Sequence, residues 1–232
     1  MSKTVKLEAS DGHQLDAYVA TPQGDPIAGL VVVQEIFGVN AHIQAVTDGF
    51  ARQGFYAVAP AIFDRVEKRV EIGYDAADMQ KGMSLAQKLD IGNAVKDVDA
   101  ALGYAKKQTG KPAMVVGYCF GGTLAWLSAA RLSPAAAVGY YGGQIAKFTA
   151  EEPHCPVMLH FGRQDSHISA SDVESVRKAH PEVEIYLYDA GHAFNRNIGN
   201  SYNPEAAALA FERTLEFFHK VLAGGASGKA PK

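Results

Sequence analysis

One stretch limits the fold of this chain more than any other: Ala113-Met114-Val115-Val116-Gly117-Tyr118-Cys119-Phe120-Gly121-Gly122, an apolar run that ends in small residues around a cysteine. Four apolar residues in succession read as a strand buried on both faces, and the Ala- and Leu-rich residues 123–132 that follow read as a helix. Cys119 is thereby set at a strand-to-helix corner. Gly117 and Gly121 keep the backbone uncrowded there, in the G-x-C-x-G spacing of a nucleophile elbow with Cys in place of Ser. A helix N-terminus aimed at the sulfur would lower the thiol pKa and offer N–H groups to an oxyanion. The alternative is a small hydrophobe buried at a tight turn, a common setting for free cysteines.

Such a corner needs a sheet, and the rest of the chain supplies its pattern. Residues 5–7 and 15–20 predict a hairpin through Ser10-Asp11-Gly12-His13, closed by Pro22 and Gly24-Asp25-Pro26. Residues 27–33 are apolar without alternation, as in a parallel strand covered on both faces, and 55–59, 135–141 and 156–161 predict further strands. Residues 183–188 alternate like a strand near the sheet edge. Helices are predicted over 42–52, 168–179 and 204–222, with Pro204 suited to a first turn. Leu89, Ile91, Val95, Val98 and Leu102 mark another, with Lys88, Lys96 and Asp99 opposite. Residues 61–85 mix charges, Gly73, Gly82 and methionines without a clean period, which predicts an irregular excursion over the top of the sheet. Strands alternating with helices after an antiparallel start predict one α/β domain over residues 1–223, mostly parallel, with helices on both faces. Residues 224–232 read as a polar, frayed tail.

Composition narrows the partners. Twenty-two Lys and Arg against 25 Asp and Glu, a net charge of −3 without a basic block, argue against nucleic acid. The N-terminus has no signal-like apolar core and no segment is long enough to span a membrane, so the expectation is a cytoplasmic monomer without a membrane partner. Two cysteines without an export signal fit free thiols, although counting alone leaves a Cys119–Cys155 disulfide open. No cysteine pair has metal-ligand spacing and the eight histidines are scattered without an H-E-x-x-H, so no metal is expected.

In an open parallel sheet, sites form beyond the C-terminal ends of the strands. Cys119, Asp165 and His192 each follow a predicted strand, in the order nucleophile, acid, histidine, so separations of 46 and 27 residues are compatible with contact. His192 would take the thiol proton or stabilise the thiolate, and Asp165 would fix its tautomer. Asp165 could instead cap the helix starting near His167, His192 could be satisfied by loop carbonyls, and Asp189 and Asp172 compete for the acid role. Gln34-Glu35-Ile36-Phe37-Gly38 follows the first central strand, and the N–H groups of Ile36 and Phe120 are the pair expected around a tetrahedral oxygen. A carboxylate beside a thiolate raises both pKa values, so a resting Cys119 could stay a thiol bonded to Glu35 until an anionic substrate rearranges the site. Glu35 could also be a solvated loop carboxylate or a partner of Arg196. Arg196 is expected at the mouth of the same cleft, gripping a carboxylate, or else as an exposed surface arginine.

These segments, with Gln34-Glu35-Ile36-Phe37-Gly38-Val39-Asn40, Val138-Gly139-Tyr140-Tyr141-Gly142, Gly162-Arg163-Gln164-Asp165 and Ala190-Gly191-His192-Ala193-Phe194, make the chain resemble the dienelactone hydrolase (carboxymethylenebutenolidase) family of α/β-hydrolases. The resemblance implies a Cys119–His192–Asp165 triad, Glu35 in contact with the resting thiol, and Arg196 in carboxylate recognition. It also implies hydrolysis of 4-carboxymethylenebut-2-en-4-olide to maleylacetate without a metal or organic cofactor. The family's best-known members carry an extra arginine and a tyrosine where this chain reads Met79-Gln80-Lys81-Gly82-Met83, so Lys81 is expected to supply the charge, and Tyr140 to touch substrate. The small-molecule partner would be a lactone or ester bearing a carboxylate. A broader carboxylesterase or thioesterase with the same triad is the main alternative, ahead of a ligand-binding or redox-responsive protein without catalysis.

Overall fold

The structure, a computed structural model, describes residues 1–226. In chain order its elements are strands β1 (Ser2–Glu8), β2 (Gln14–Ala20) and β3 (Ala28–Val33), helix α1 (Ala41–Arg52) and strand β4 (Phe55–Pro60). Helices α2 (Ala76–Lys88) and α3 (Ile91–Thr109) then precede β5 (Ala113–Tyr118), α4 (Phe120–Arg131), β6 (Ala137–Tyr140) and β7 (Val157–Gly162). The chain closes with α5 (Ala170–Ala179), β8 (Glu184–Tyr188) and α6 (Pro204–Ala226). All residues of β3, β4, β5, β6 and β7 are buried, as their apolar runs require of strands covered on both faces.

The eight strands form one sheet in the order β1-β2-β4-β3-β5-β6-β7-β8. β1 and β2 pair antiparallel, as do β2 and β4, and every pairing from β4 to β8 is parallel. Helices cover both sides: α3 packs on α4, while Phe50 of α1 meets Phe211 of α6 with ring centroids 5.2 Å apart. The molecule is thus a single, mostly parallel α/β domain, as the alternation predicts, in the α/β-hydrolase arrangement that the resemblance implies. Register aligns Val33 with Gly117 and Tyr118 with Tyr140, so the chain leaves β3, β5 and β6 at one edge of the sheet, where Glu35, Cys119 and Tyr141 follow. That alignment lets residues far apart in sequence share a site.

Two expectations need correction. The last ten residues of the supposed irregular excursion belong to α2, capped by Asp75, whose side chain accepts from the Asp78 N–H at 2.8 Å. Only Gly82 and Leu85 of this helix are buried, a stripe too thin to show as a period. The expected tail from Gly224 begins as helix, because α6 continues to Ala226, and its residues 227–232 lie outside the described residues. Cys119 and Cys155 are both free. Among the described residues no helix is long and apolar enough to cross a membrane.

A buried ion pair anchors the start of the excursion. Arg65 donates through Nε and Nη2 to both carboxylate oxygens of Asp97 at 2.7 and 2.8 Å, and also reaches Asp11 in the hairpin turn. Asp97 sits on the buried side of α3, a charge that the apolar stripe of that helix does not announce.

Candidate active site

The corner after β5 is as sharp as its glycines allow. Cys119 has φ 54° and ψ −113°, a left-handed conformation that costs a side-chain-bearing residue about 1–3 kcal/mol and persists only when its surroundings enforce it. The enforcing contacts are visible. The Cys119 N–H donates to the Tyr140 carbonyl at 2.9 Å, and its carbonyl accepts from Gly122 N–H at 2.9 Å. A β-carbon on Gly117 would collide with the Gly121 carbonyl oxygen, so no larger residue fits that position.

His192 Nε2 lies 3.2 Å from Cys119 Sγ, and His192 Nδ1 lies 2.7 Å from Asp165 Oδ2. The β7 and β8 exits are laced together by Arg163 N–H donating to Tyr188 O and Gln164 N–H donating to Ala190 O, which brings the acid and the imidazole within reach. The other oxygen of Asp165 accepts from the N–H groups of His167 and Ile168 at 2.7 and 3.2 Å. The competing side chains are engaged elsewhere: Ser169 caps α5, Asp172 completes that capping box, and Asp189 accepts from Gln164 Nε2.

Burial alone would depress His192, but its hydrogen bonds to Asp165 and Cys119, and the charges of both, push its pKa up to about 10. Burial works the other way on Asp165, where the His192 bond and charge hold the carboxyl below its ordinary value. The arrangement therefore favours an imidazolium that donates to the Asp165 carboxylate on one side and faces the Cys119 sulfur on the other.

Glu35 departs from the expected thiol contact. Its side chain is 1% exposed, and neither carboxylate oxygen has a hydrogen-bond partner among the described residues. Burial raises its pKa to about 7, against the pull of the Arg196 and His192 charges. The Tyr141 hydroxyl is likewise buried and unpartnered, with its ring 5.2 Å from that of His192. The sulfur faces His192 instead, because the elbow aims it along the line that Asp165 fixes for the ring.

Arg196 is in the cleft but is neither exposed nor paired with Glu35. It is 9% exposed, donates through Nε to the Ile198 carbonyl at 3.1 Å, and lays its guanidinium 4.2 Å over the Tyr74 ring and 5.6 Å over Phe37. The cleft has a volume of about 730 Å³, and its walls include Glu35, Cys119, His192, Arg196, Met79 and Met83. Ile36 also lines it, and among the described residues the N–H groups of Ile36 and Phe120 have no acceptor. Gln34 braces that loop by accepting from Ile62 N–H and donating to the Glu35 carbonyl.

Two expected substrate contacts are absent. Lys81 projects from α2 away from the cleft and pairs with Glu67 at 2.7 Å, since residues two apart on a helix cannot share the face of Met79 and Met83. Tyr140 is fully buried in β6, its hydroxyl 2.7 Å from Thr214 Oγ1, so it belongs to the core. The residues the sequence did not single out are Tyr74 and the methionine pair. Only knowledge that 76–88 is helical would have put Met79 and Met83 on one face. No cluster of three or more His, Cys, Asp or Glu side chains with metal-binding geometry occurs among the described residues.

Comparison with known proteins agrees with this architecture. The model of the dienelactone hydrolase family matches residues 15–222. A carboxymethylenebutenolidase of Pseudomonas putida is 34% identical over 227 residues, covering 94% of this chain and 96% of its own. One from Cupriavidus pinatubonensis is 29% identical, covering 93% and 96%. The crystal structure of a Klebsiella pneumoniae protein named "Putative Dienelactone Hydrolase" superposes with a TM-score of 0.80 at 28% identity, covering 94% of this chain and 99% of that one. In sequence and in fold, the chain belongs to the dienelactone hydrolase family of α/β-hydrolases.

Proposed function

We propose that this hydrolase opens small lactones and enol esters bearing a carboxylate, with dienelactone (4-carboxymethylenebut-2-en-4-olide) as substrate and maleylacetate as product, through a Cys119–His192–Asp165 triad. The observation that carries the reading is the 3.2 Å approach of His192 Nε2 to Cys119 Sγ, with Asp165 2.7 Å behind the ring. The names of the P. putida and C. pinatubonensis relatives support the substrate assignment.

Arg196 binds the substrate carboxylate, held in orientation by the Tyr74 ring. The Cys119 thiolate attacks the lactone carbonyl, and the N–H groups of Ile36 and Phe120 receive the oxyanion. Collapse breaks the ring C–O bond, giving a thioester and an enolate that stays tethered to it. His192 Nε2–H protonates that enolate, which leaves the imidazole neutral. Neutral His192 then deprotonates a water, which adds to the thioester carbonyl, and expulsion of the thiolate regenerates the starting pair. The enol product tautomerises to the keto acid, so one water is consumed per ring opened. Glu35, buried with a pKa of about 7, carries a proton for part of the neutral range, which moderates its repulsion of the thiolate.

Steady-state kinetics on cis- and trans-dienelactone test this reading. Cys119→Ala should abolish turnover, and Arg196→Ala should lower kcat/KM about 10- to 100-fold, the size of a lost charge-assisted hydrogen bond. Unchanged turnover in Cys119→Ala would overturn the mechanism. A broader carboxylesterase or thioesterase activity is the second reading. It is favoured by Met79 and Met83 on the cleft wall, where among the described residues no lysine and no second arginine joins Arg196. Relative rates on dienelactone and on neutral short-chain aryl esters separate the two.

A further inference from the structure

Cys119 lines two hollows. Besides the cleft that holds Arg196, a second of about 270 Å³ is bounded by Ile36, Met83, Ala86, Gln87 and Phe120. The two share Ile36, Met83, Cys119, Gly143 and Gln144, so they adjoin at Cys119. They differ in charge: Glu35, Asp189, His192 and Arg196 line the first, and the second has no charged side chain in its walls. A hollow joined to a nucleophile but empty of charge is suited to an apolar group attached directly to the carbonyl under attack.

Resting on the hydrolytic reading above, we propose that this second hollow is an acyl-chain subsite. It takes the apolar acyl group of an ester whose carboxylate-bearing leaving group lies toward Arg196. The assignment of the two ends follows from the tetrahedral carbon. Its oxyanion turns to the N–H groups of Ile36 and Phe120. Its leaving oxygen must face His192, the proton donor, which lines only the first cleft. The remaining substituent, the acyl chain, is directed to the hollow that His192 does not line.

Size and packing agree. At ~30 Å³ for a water-sized group, the hollow holds about nine such groups, enough for a chain of about six carbons. Its α2 wall is held close by Gly82, where a β-carbon would collide with the Ile36 carbonyl oxygen. Met83 is 50% exposed and unbranched, so it can pack along chains of different length at little conformational cost.

The test uses 4-acyloxybenzoates, esters of 4-hydroxybenzoate, with acetyl through hexanoyl chains. Burial of each methylene at the apolar transfer value predicts about a fourfold rise in kcat/KM per carbon until the hollow is full. Ala86→Trp, which fills the hollow from α2, should flatten that rise. A second measurement needs no turnover: the rate at which straight-chain alkyl methanethiosulfonates modify Cys119, followed by mass spectrometry, should climb over the same chain lengths. Flat series in both measurements, with the acetyl ester still hydrolysed through Cys119, would overturn the subsite and leave the hydrolytic reading standing. A rise that persists in Ala86→Trp also overturns it. Labelling that climbs while no ester is hydrolysed would sink the hydrolytic reading, and the acyl assignment with it.

Discussion

The guanidinium of Arg196 stands 4.2 Å above the ring of Tyr74, so this cation of the cleft is held by an aromatic face and, among the described residues, by no carboxylate. An arginine paired with a carboxylate would have its charge answered already. One stacked on a ring keeps its donors available to an incoming anion, while the ring limits its swing. Asn40 fixes the tyrosine in turn, donating through Nδ2 to the Tyr74 hydroxyl at 3.0 Å.

Replacing the ring should therefore weaken anion binding without touching the chemistry. Tyr74→Leu is expected to raise KM for a carboxylate-bearing ester about two- to fivefold, the equivalent of a cation–π contact of ~0.5–1 kcal/mol, with kcat nearly unchanged. A neutral ester serves as the control and should show no change in KM. An equal effect on both substrates would mean that Tyr74 supports the loop and not the guanidinium.

Asp165→Asn probes the histidine's orientation. The asparagine oxygen can still accept from His167 and Ile168 N–H, so the loop stays formed, but its amide would face His192 Nδ1 and select the wrong tautomer. A fall in kcat of about 10³- to 10⁴-fold is expected, with Tm close to the parent's. Imidazole resonances observed by NMR should show the His192 pKa well below about 10 in the variant. Retention of the high value would show that Asp165 is not what sustains the imidazolium.

Stability should fall as pH rises through the range of Glu35. Its folded pKa of about 7 lies above its ordinary 4.5, so between those values the folded chain holds a proton that the unfolded chain has released. Stability from this group is complete below pH 4.5 and declines by about 3 kcal/mol on reaching pH 7, at about 1.4 kcal/mol for each pH unit between the two values. His192, raised from 6.5 to about 10, has the same sign and loses its contribution across that higher window. Urea unfolding of Glu35→Gln from pH 4 to pH 9 should lack the lower part of the slope and retain the upper. Identical profiles for parent and variant would show that Glu35 titrates normally.

Gly82→Ala tests the packing of α2 on the site. Its new methyl group would meet the Ile36 carbonyl, so the helix must shift, at a cost of about 1–3 kcal/mol. Thermal unfolding should show the loss. Because Ile36 carries one of the free N–H groups, kcat should fall as well. An unchanged Tm would mean that α2 is not tightly seated.

Much of this molecule is legible in the order of its residues. Unbroken apolar runs mark buried parallel strands, and glycines two residues before and after Cys119 permit the strained corner. Aspartate and histidine just past later strands are brought together by any parallel sheet in this order, since their strands end at one edge. Such features are set by local sterics and by period, which a sequence displays directly.

Other features depended on packing between distant segments. Helix α2 buries so little of itself that no period betrays it, and only its seat against Ile36 shows that Met79 and Met83 face the cleft while Lys81 turns to Glu67. The isolation of Glu35, the stacking of Arg196 on Tyr74 and the retreat of Tyr140 into the core are likewise distances between segments remote in the chain. The amino-acid order alone determined the sheet and the corner at Cys119, because each follows from neighbours along the chain. Which side chains surround that corner, and with what charge, was decided by the tertiary fold, because burial and proximity exist only once the layers have closed.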